Sequence, residues 1–372
     1  MYDVEKIREE FPIVDSMRYW DIAYGNPVPN CVRDAMGAYL RDVQRNGVSV
    51  ERARAMELVE EVRADFARLI GARPEEIALV KNTSEGLNMA ACGIRFERGD
   101  NVVLNELEHP NNLFCWLRLR EKGVEIRMAP KKEGRVSMDD IAACIDSRTR
   151  AVAIASTTNL GFRFDLEELG EICREHSSHL VVDAVQSLGT EPLNVKQAGV
   201  TMLSASAHKG LLGPHGIGFF YCCEDALEDL DATYVAGISY EKYGDPFKAE
   251  LKKTGKKFEF GNYNYIAVHG VGPGLHLLEE VGVEEIHTHT KRLADKFREE
   301  LRQMDATILD SPLPKERSHI VTFRVPGYSV EEVRTRLEES RIRVSSHYGE
   351  IRASFALFNS EKEIEGFHGL FT

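Results

Sequence analysis

His179-Leu-Val-Val-Asp183-Ala-Val-Gln186 and Met202-Leu-Ser-Ala-Ser-Ala-His-Lys209-Gly210 are two strand-length runs that end, respectively, in an acid and a lysine. Their near-continuous apolar character suits strands covered on both faces. Asp183 and Lys209 then emerge where open α/β sheets bind ligands, outside the carboxyl ends of the strands. Working outward, similar runs cover residues 76–80, 101–104, 151–155 and 216–221. Between them, amphipathic patterns predict helices over 56–69, 112–122 and 166–176. Strands alternating with helices define βαβ units and an α/β fold with a mostly parallel sheet.

The pattern breaks from Asp225 to Lys257, a polar stretch ending in the basic run Leu251-Lys-Lys-Thr-Gly-Lys-Lys257, which reads as a long solvated surface loop. A helical region begins near Tyr265 and includes 281–304, followed by a strand over 319–323, a helix over 329–340 and a last strand over 341–344. This order predicts a large domain over 16–264 and a smaller α+β domain over 265–372, which the N-terminal segment 1–15 joins. Gly270-Val-Gly-Pro-Gly274 begins inside a helical segment and not after a strand, so it is expected to serve helix packing and not a dinucleotide.

The chain has 372 residues, 43% of them hydrophobic, enough for two to three domains at about 150 residues each. Sixty acids against 47 Lys plus Arg give a formal charge of -13, which argues against nucleic acid and anionic membranes as partners. No apolar stretch approaches the roughly 20 residues of a membrane span. Seven scattered cysteines, without CxxC pairs and without a charged-then-apolar leader, are expected to be reduced thiols in a cytoplasmic protein, with no metal site.

A lysine at a strand end can form a Schiff base, and a buried carboxylate can keep a heterocyclic nitrogen protonated. Together Lys209 and Asp183 are the minimal equipment for pyridoxal 5'-phosphate (PLP), and Gly210, Gly213 and Gly216 suggest a flexible loop around it. Asn82-Thr-Ser-Glu-Gly-Leu-Asn88 follows a strand and opens a helix; Thr83 or Ser84 is the expected cap, with free amides facing an anion. His109 follows another strand, where an imidazole can stack on a planar ring. Taken singly, each of these has a plainer explanation: a solvated lysine, a strand-end turn cap, a helix cap without ligand, a loop histidine.

The order and spacing of these segments resemble the class V branch of fold-type I PLP enzymes, which includes cysteine desulfurases, selenocysteine lyases and isopenicillin N epimerase. The likeness runs from Tyr19-Trp-Asp-Ile-Ala23 through Thr83-Ser-Glu-Gly-Leu-Asn88, Glu108-His109, Asn159-Leu-Gly161, Asp183-Ala-Val-Gln186, Ser206-Ala-His-Lys209 and Phe258-Glu-Phe-Gly-Asn262 to Arg352-Ala-Ser-Phe355. The resemblance implies that Lys209 carries the cofactor, Asp183 pairs with the ring nitrogen, Gln186 bonds the ring hydroxyl and His109 stacks on the ring. It gives the phosphate to Ser84, the Glu85 amide, Ser206 and His208, and to Asn262 of the other subunit in a homodimer. It further implies that Arg352 grips the α-carboxylate of an amino-acid substrate, with Asn159 beside it.

Two departures bear on the reaction. Val344-Ser-Ser-His-Tyr-Gly-Glu-Ile-Arg352 is much shorter than the desulfurase loop and contains no cysteine; His347 matches the loop histidine and Gly349 falls where the nucleophilic thiol would be. Tyr24 stands where desulfurases have smaller residues, so it is expected to present a ring or phenol to substrate. Cofactor and clamp without a thiol imply carbon–sulfur lyase chemistry: Lys209 removes the Cα proton, a thiolate leaves, and pyruvate and ammonia result. His347 or Tyr24 is the expected acid for the departing sulfur. Aminotransferase and epimerase outcomes use the same residues and stay open, as does a dimeric scaffold that has lost catalysis.

Overall fold

The computed structural model describes residues 2–132, 134–241 and 245–371. A short strand, β1 (Arg18–Tyr19), precedes the central sheet. That sheet consists of β2 (Ile77–Val80), β3 (Asn101–Asn105), β4 (Glu125–Ala129), β5 (Thr149–Ala155), β6 (His179–Asp183), β7 (Met202–Ser206) and β8 (Gly218–Cys222), in the order β2-β8-β7-β6-β5-β3-β4. Neighbours from β7 to β4 pair in parallel, whereas β8 is antiparallel to both β7 and β2. Successive side chains serve opposite faces. Val182 and Leu203 pack into one core with Phe66 and Phe219, while Val181 and Met202 pack into the other with Val102 and Phe220. Two buried faces are why these strands read as unbroken apolar runs.

The C-terminal sheet has β9 (Thr307–Ile308), β10 (Ile320–Arg324), β12 (Ser345–His347) and β13 (Glu350–Ser354) in the antiparallel order β12-β13-β10-β9, while β11 (Ile342–Arg343) pairs in parallel with β1. Trp20, just past β1, lies with ring centroids 5.4–5.8 Å from Phe297, Phe355 and Phe367 in the core of this region. The N-terminal segment therefore contributes to two hydrophobic cores: Phe11 packs with Phe358 in that beside the large sheet, and Trp20 packs in that beside the C-terminal sheet.

Helix Tyr265–Val281, expected to open the small domain, packs on helices Asn30–Asn46 and Val48–Leu69 beside the large sheet. Its glycines permit the approach. A Cβ on Gly270 would lie 2.8 Å from Met36 Sδ, in keeping with a packing role for this cluster. Helix Asn30–Asn46 was not anticipated, nor was β4, an edge strand whose Glu125 and Arg127 break its apolar run. The helix expected over 112–122 is an α-helix, Pro110–Leu117, that tightens into a 3-10 turn at Arg118–Lys122.

The basic run is not wholly solvated. Lys257 is buried, donating to Leu230 O (2.8 Å) and to Leu227 O, with its ammonium 5.0 Å from the Phe258 ring centre. Two carbonyls and an aromatic face replace the water that an ammonium loses on burial. Arg352 lies within β13. β12 and β13 are joined by Tyr348 and Gly349, both at positive φ (52° and 79°), the two-residue turn whose twist matches a hairpin.

Candidate active site

The carboxyl ends of β5, β6 and β7 meet at a cavity of about 210 Å3. Asp183, Gln186, Ser206, His208 and Lys209 reach it from β6, β7 and the segments that follow them, and Asn159 from the segment after β5. Ser84 and His109 complete the wall at two helix N-termini. Eight of the residues singled out from sequence are thus gathered in one place, although they span positions 84 to 209.

The backbone carbonyl of Lys209 accepts from Asn26 Nδ2 (3.2 Å) and Leu212 N (2.9 Å), whereas its amine has no hydrogen-bond or ion-pair partner among the described residues. Burial and the charge of Arg352 lower its pKa to about 8, against the fields of Asp183 and Asp21. Its amine is therefore close to giving up a proton at neutral pH. Asp183 is buried, and burial pushes its pKa up to about 6, opposed by a 3.0 Å hydrogen bond from Val185 N and by Lys209. Such a carboxylate needs a cation or a protonated ligand as partner.

Gln186 donates through Nε2 to Ala23 O (3.1 Å), which leaves its buried Oε1 without a donor among the described residues. Both amide atoms of Asn159 and Nη2 of Arg352 are likewise buried and unpartnered. Orphans of this kind cost about 1–3 kcal/mol each. Gln186 and Asn159 line the cavity and Arg352, which does not, bonds Asn159 O, so the orphans cluster at a place that a ligand can complete.

The anion cradle is built differently from the expectation. Asn82, not Thr83 or Ser84, caps helix Thr83–Gly93: its Oδ1 accepts the Glu85 amide at 3.0 Å. The Glu85 N–H is thus already used, and the Glu85 side chain reaches back to Lys81 N. Ser206 Oγ accepts the Thr83 N–H and pairs with Thr83 Oγ1, both at 2.8 Å. When Thr83 Oγ1 is the donor of that pair, the Ser206 proton is free for a ligand. His208 stacks on His215 with centroids 4.2 Å apart, and burial together with His215 and Lys209 lowers its pKa to about 4. The glycines after Lys209 provide close packing more than mobility. A Cβ on Gly210 would lie 2.3 Å from Leu188 O, and one on Gly213 2.9 Å from Val271 Cγ2.

His109 is the N-cap of helix Pro110–Leu117, with Nδ1 accepting Asn111 N at 3.2 Å. Burial, Lys209 and Arg352 lower its pKa, so the ring is neutral and free to stack. Next to it lies Glu108, quoted with His109 in the family likeness but given no role there. This buried carboxyl accepts from Asn105 Nδ2 (2.5 Å), Asn112 Nδ2 (2.8 Å) and Ala155 N (2.9 Å), tying together the ends of β3 and β5 and the His109 helix. Burial raises its pKa to about 7.

Arg352 is 1% exposed, with Nε donating to Ser345 Oγ (3.1 Å) and Nη1 to Asn159 O (3.1 Å). Burial lowers its pKa to about 10, and Asp21 opposes that shift, so it remains cationic at neutral pH. His347 senses Arg352, His109 and Lys209, and burial with these charges brings its pKa to about 4. That withdraws His347 as a cationic acid at neutral pH. Tyr24 is 67% exposed and does not line the cavity. Asn262 does not line it either, but lines a separate cavity of about 400 Å3 with Lys81, Glu85 and Asn264. Among the described residues no cysteine lines the active-site cavity.

The fold and this cluster define a PLP-dependent enzyme, and residues 18–367 match the family "Aminotransferase class-V". The chain belongs to that family. Among named relatives, it is 30% identical over 388 residues to a probable cysteine desulfurase of Methanothermobacter thermautotrophicus, covering 97% of this chain and 95% of that protein. The apo structure of a cysteine desulfurase from Thermococcus onnurineus superposes with a TM-score of 0.92 at 30% identity, over 100% of this chain and 97% of the other. A cystine C–S lyase in complex with cysteine persulfide shares the fold, with a TM-score of 0.89 at 24% identity over 97% and 98% of the two chains. Among the described residues no helix is long and apolar enough to cross a membrane.

Proposed function

We propose that the chain is a carbon–sulfur lyase that holds PLP in this cavity and releases pyruvate and ammonia from cysteine or a cysteine conjugate. The observation that carries the reaction type is the β12–β13 hairpin, which turns through Tyr348 and Gly349 and presents no thiol beside Arg352. The site residues suit the cofactor. Lys209 is the amine whose proton is easily given up, Asp183 the buried anion for the ring nitrogen, Gln186 Oε1 an acceptor for the ring hydroxyl, and His109 the neutral ring for stacking. Ser84, Ser206 and His208 face the phosphate. Asn262, turned away from its own cavity, serves the neighbouring site of a homodimer. Within each chain, residues up to about 282 form the cofactor-binding unit.

PLP, when bound, supplies an electron sink for negative charge at the substrate Cα. Arg352 orients the substrate through its α-carboxylate, using the donor that no group among the described residues takes up. Asp183 keeps the ring nitrogen protonated, and Lys209 accepts the Cα proton. With His347 neutral and Tyr24 turned to solvent, the proton that Lys209 has accepted is the one available to the departing sulfur.

A second reading, cysteine desulfurase, is favoured by the names of the 30%-identical relatives. Incubating purified protein with cysteine, cystine and S-substituted cysteines separates the two. Pyruvate formed without added keto acid is the expected product, whereas alanine with sulfane sulfur identifies a desulfurase. Keto-acid-dependent amino transfer, or inversion at Cα, would overturn both.

A further inference from the structure

Arg352 is held in an unusual way for a buried cation. Its Nη2 lies 3.8 Å from Asp21 Oδ1, too far for a hydrogen bond, and neither atom has another partner among the described residues. Both side chains are nearly inaccessible, at 1% and 3% exposure. The gap is fixed from both sides. Ser345 Oγ and Asn159 O pin the guanidinium through Nε and Nη1. The backbone pins Asp21: it bridges to Ser354, and its carbonyl accepts the Tyr24 and Gly25 amides. The pair is therefore close enough to offset charge and too far apart to use the last donor.

We propose that Asp21 is a displaceable counter-ion, which balances Arg352 before substrate arrives and takes a proton from solvent when the substrate carboxylate occupies Nη2. This rests on the reading of Arg352 as the carboxylate clamp. An incoming carboxylate puts two anions on one guanidinium, and a like charge raises the proton affinity of its neighbour. Asp21 is poised for that step. Burial already holds its pKa at about 6, opposed by the Ser345 hydroxyl on β12, Arg352 on β13, Arg343 on β11 and Lys209 after β7. Tyr19 on β1 also faces it, and burial together with Asp21 keeps that phenol protonated, with a pKa of about 12. Asp21 is thus a positioning residue: it acts through Arg352.

Calorimetry of the holoenzyme with 3-(methylsulfanyl)propionate, a carboxylate without an amino group, tests this in buffers of different ionisation enthalpy. Wild type should take up close to one proton per ligand between pH 7 and 8. Its affinity should fall by up to about tenfold per pH unit above pH 6, as linkage to one proton requires. Asp21→Asn keeps the size of the side chain and removes the charge; it should abolish the uptake, flatten the pH profile and tighten binding by up to about thirtyfold at pH 7.5. Wild-type uptake that is absent, or an Asp21→Asn variant with unchanged uptake or weaker binding, overturns the proposal. The wild-type measurement stands even if the variant fails to fold. Arg352→Met separates the two layers: wild-type affinity in that variant would remove the clamp itself, whereas lost affinity beside an unaltered Asp21→Asn leaves the clamp and removes only the counter-ion.

Discussion

Two buried arginines, Arg63 and Arg352, face buried carboxylates and are treated in opposite ways. Arg63 meets Glu259 at 2.6 and 3.3 Å and also donates to Ile77 O. Glu259 in turn accepts Leu79 N at 2.7 Å and Tyr263 Oη at 2.5 Å. Every strong donor there has an acceptor, and the cluster fastens the segment that carries Asn262 to β2. Arg352 and Asp21 stop at 3.8 Å with a donor and an acceptor unused. A buried pair stabilises only when its remaining hydrogen bonds are made. The first pair therefore belongs to the scaffold, and the second gives up stability for a place where a ligand can complete it.

The largest effect should come from breaking the completed pair. Glu259→Gln leaves Arg63 without its buried anion and should cost about 3–5 kcal/mol in denaturant unfolding. Arg352→Met should cost much less, on the order of 1 kcal/mol, because burial already raises the Asp21 pKa to about 6 against the field of Arg352, and loss of that cation raises it further, so that Asp21 can take up a proton. The same variant should lose carboxylate binding. Equal losses of stability in the two variants would erase the distinction between them.

A smaller effect concerns Lys209 in cofactor-free protein. Its pKa is lowered in the folded state, so its contribution is present above the unfolded value near 10.5 and is lost as pH falls through about 8. Lys209→Met should accordingly melt higher than wild type at pH 7, by on the order of 2 kcal/mol in stability, with the gap closing toward pH 10.5. A gap that widens with rising pH would contradict the burial of a charged amine.

Much of this site was legible in sequence because strand ends announce themselves. Apolar runs closing in Asp183 and Ser206 put their polar residues at one sheet edge, and the likeness to class V enzymes tied in His109, Asn159 and Arg352 across long gaps. What sequence hid were partners set by tertiary contact. Asn82 competes with Thr83 and Ser84 for the cap, and only the backbone shows Oδ1 on Glu85 N. Lys257 sits in a run of lysines, and the carbonyls that bury it come from residues 227 and 230. β13 was missed because Glu350 and Arg352 interrupt its apolar pattern, although both are buried. Asp21 lies inside the quoted Tyr19–Ala23 segment without any local sign that it faces an arginine 331 residues away in the chain.

The central claim is that the Lys209 amine, beside the buried Asp183, carries the cofactor. Borohydride treatment of protein reconstituted with PLP, followed by peptide mass spectrometry, tests it most directly. The account predicts a phosphopyridoxyl group on the peptide containing Lys209 and none in Lys209→Met. An unmodified Lys209, or a label on another lysine, would contradict it.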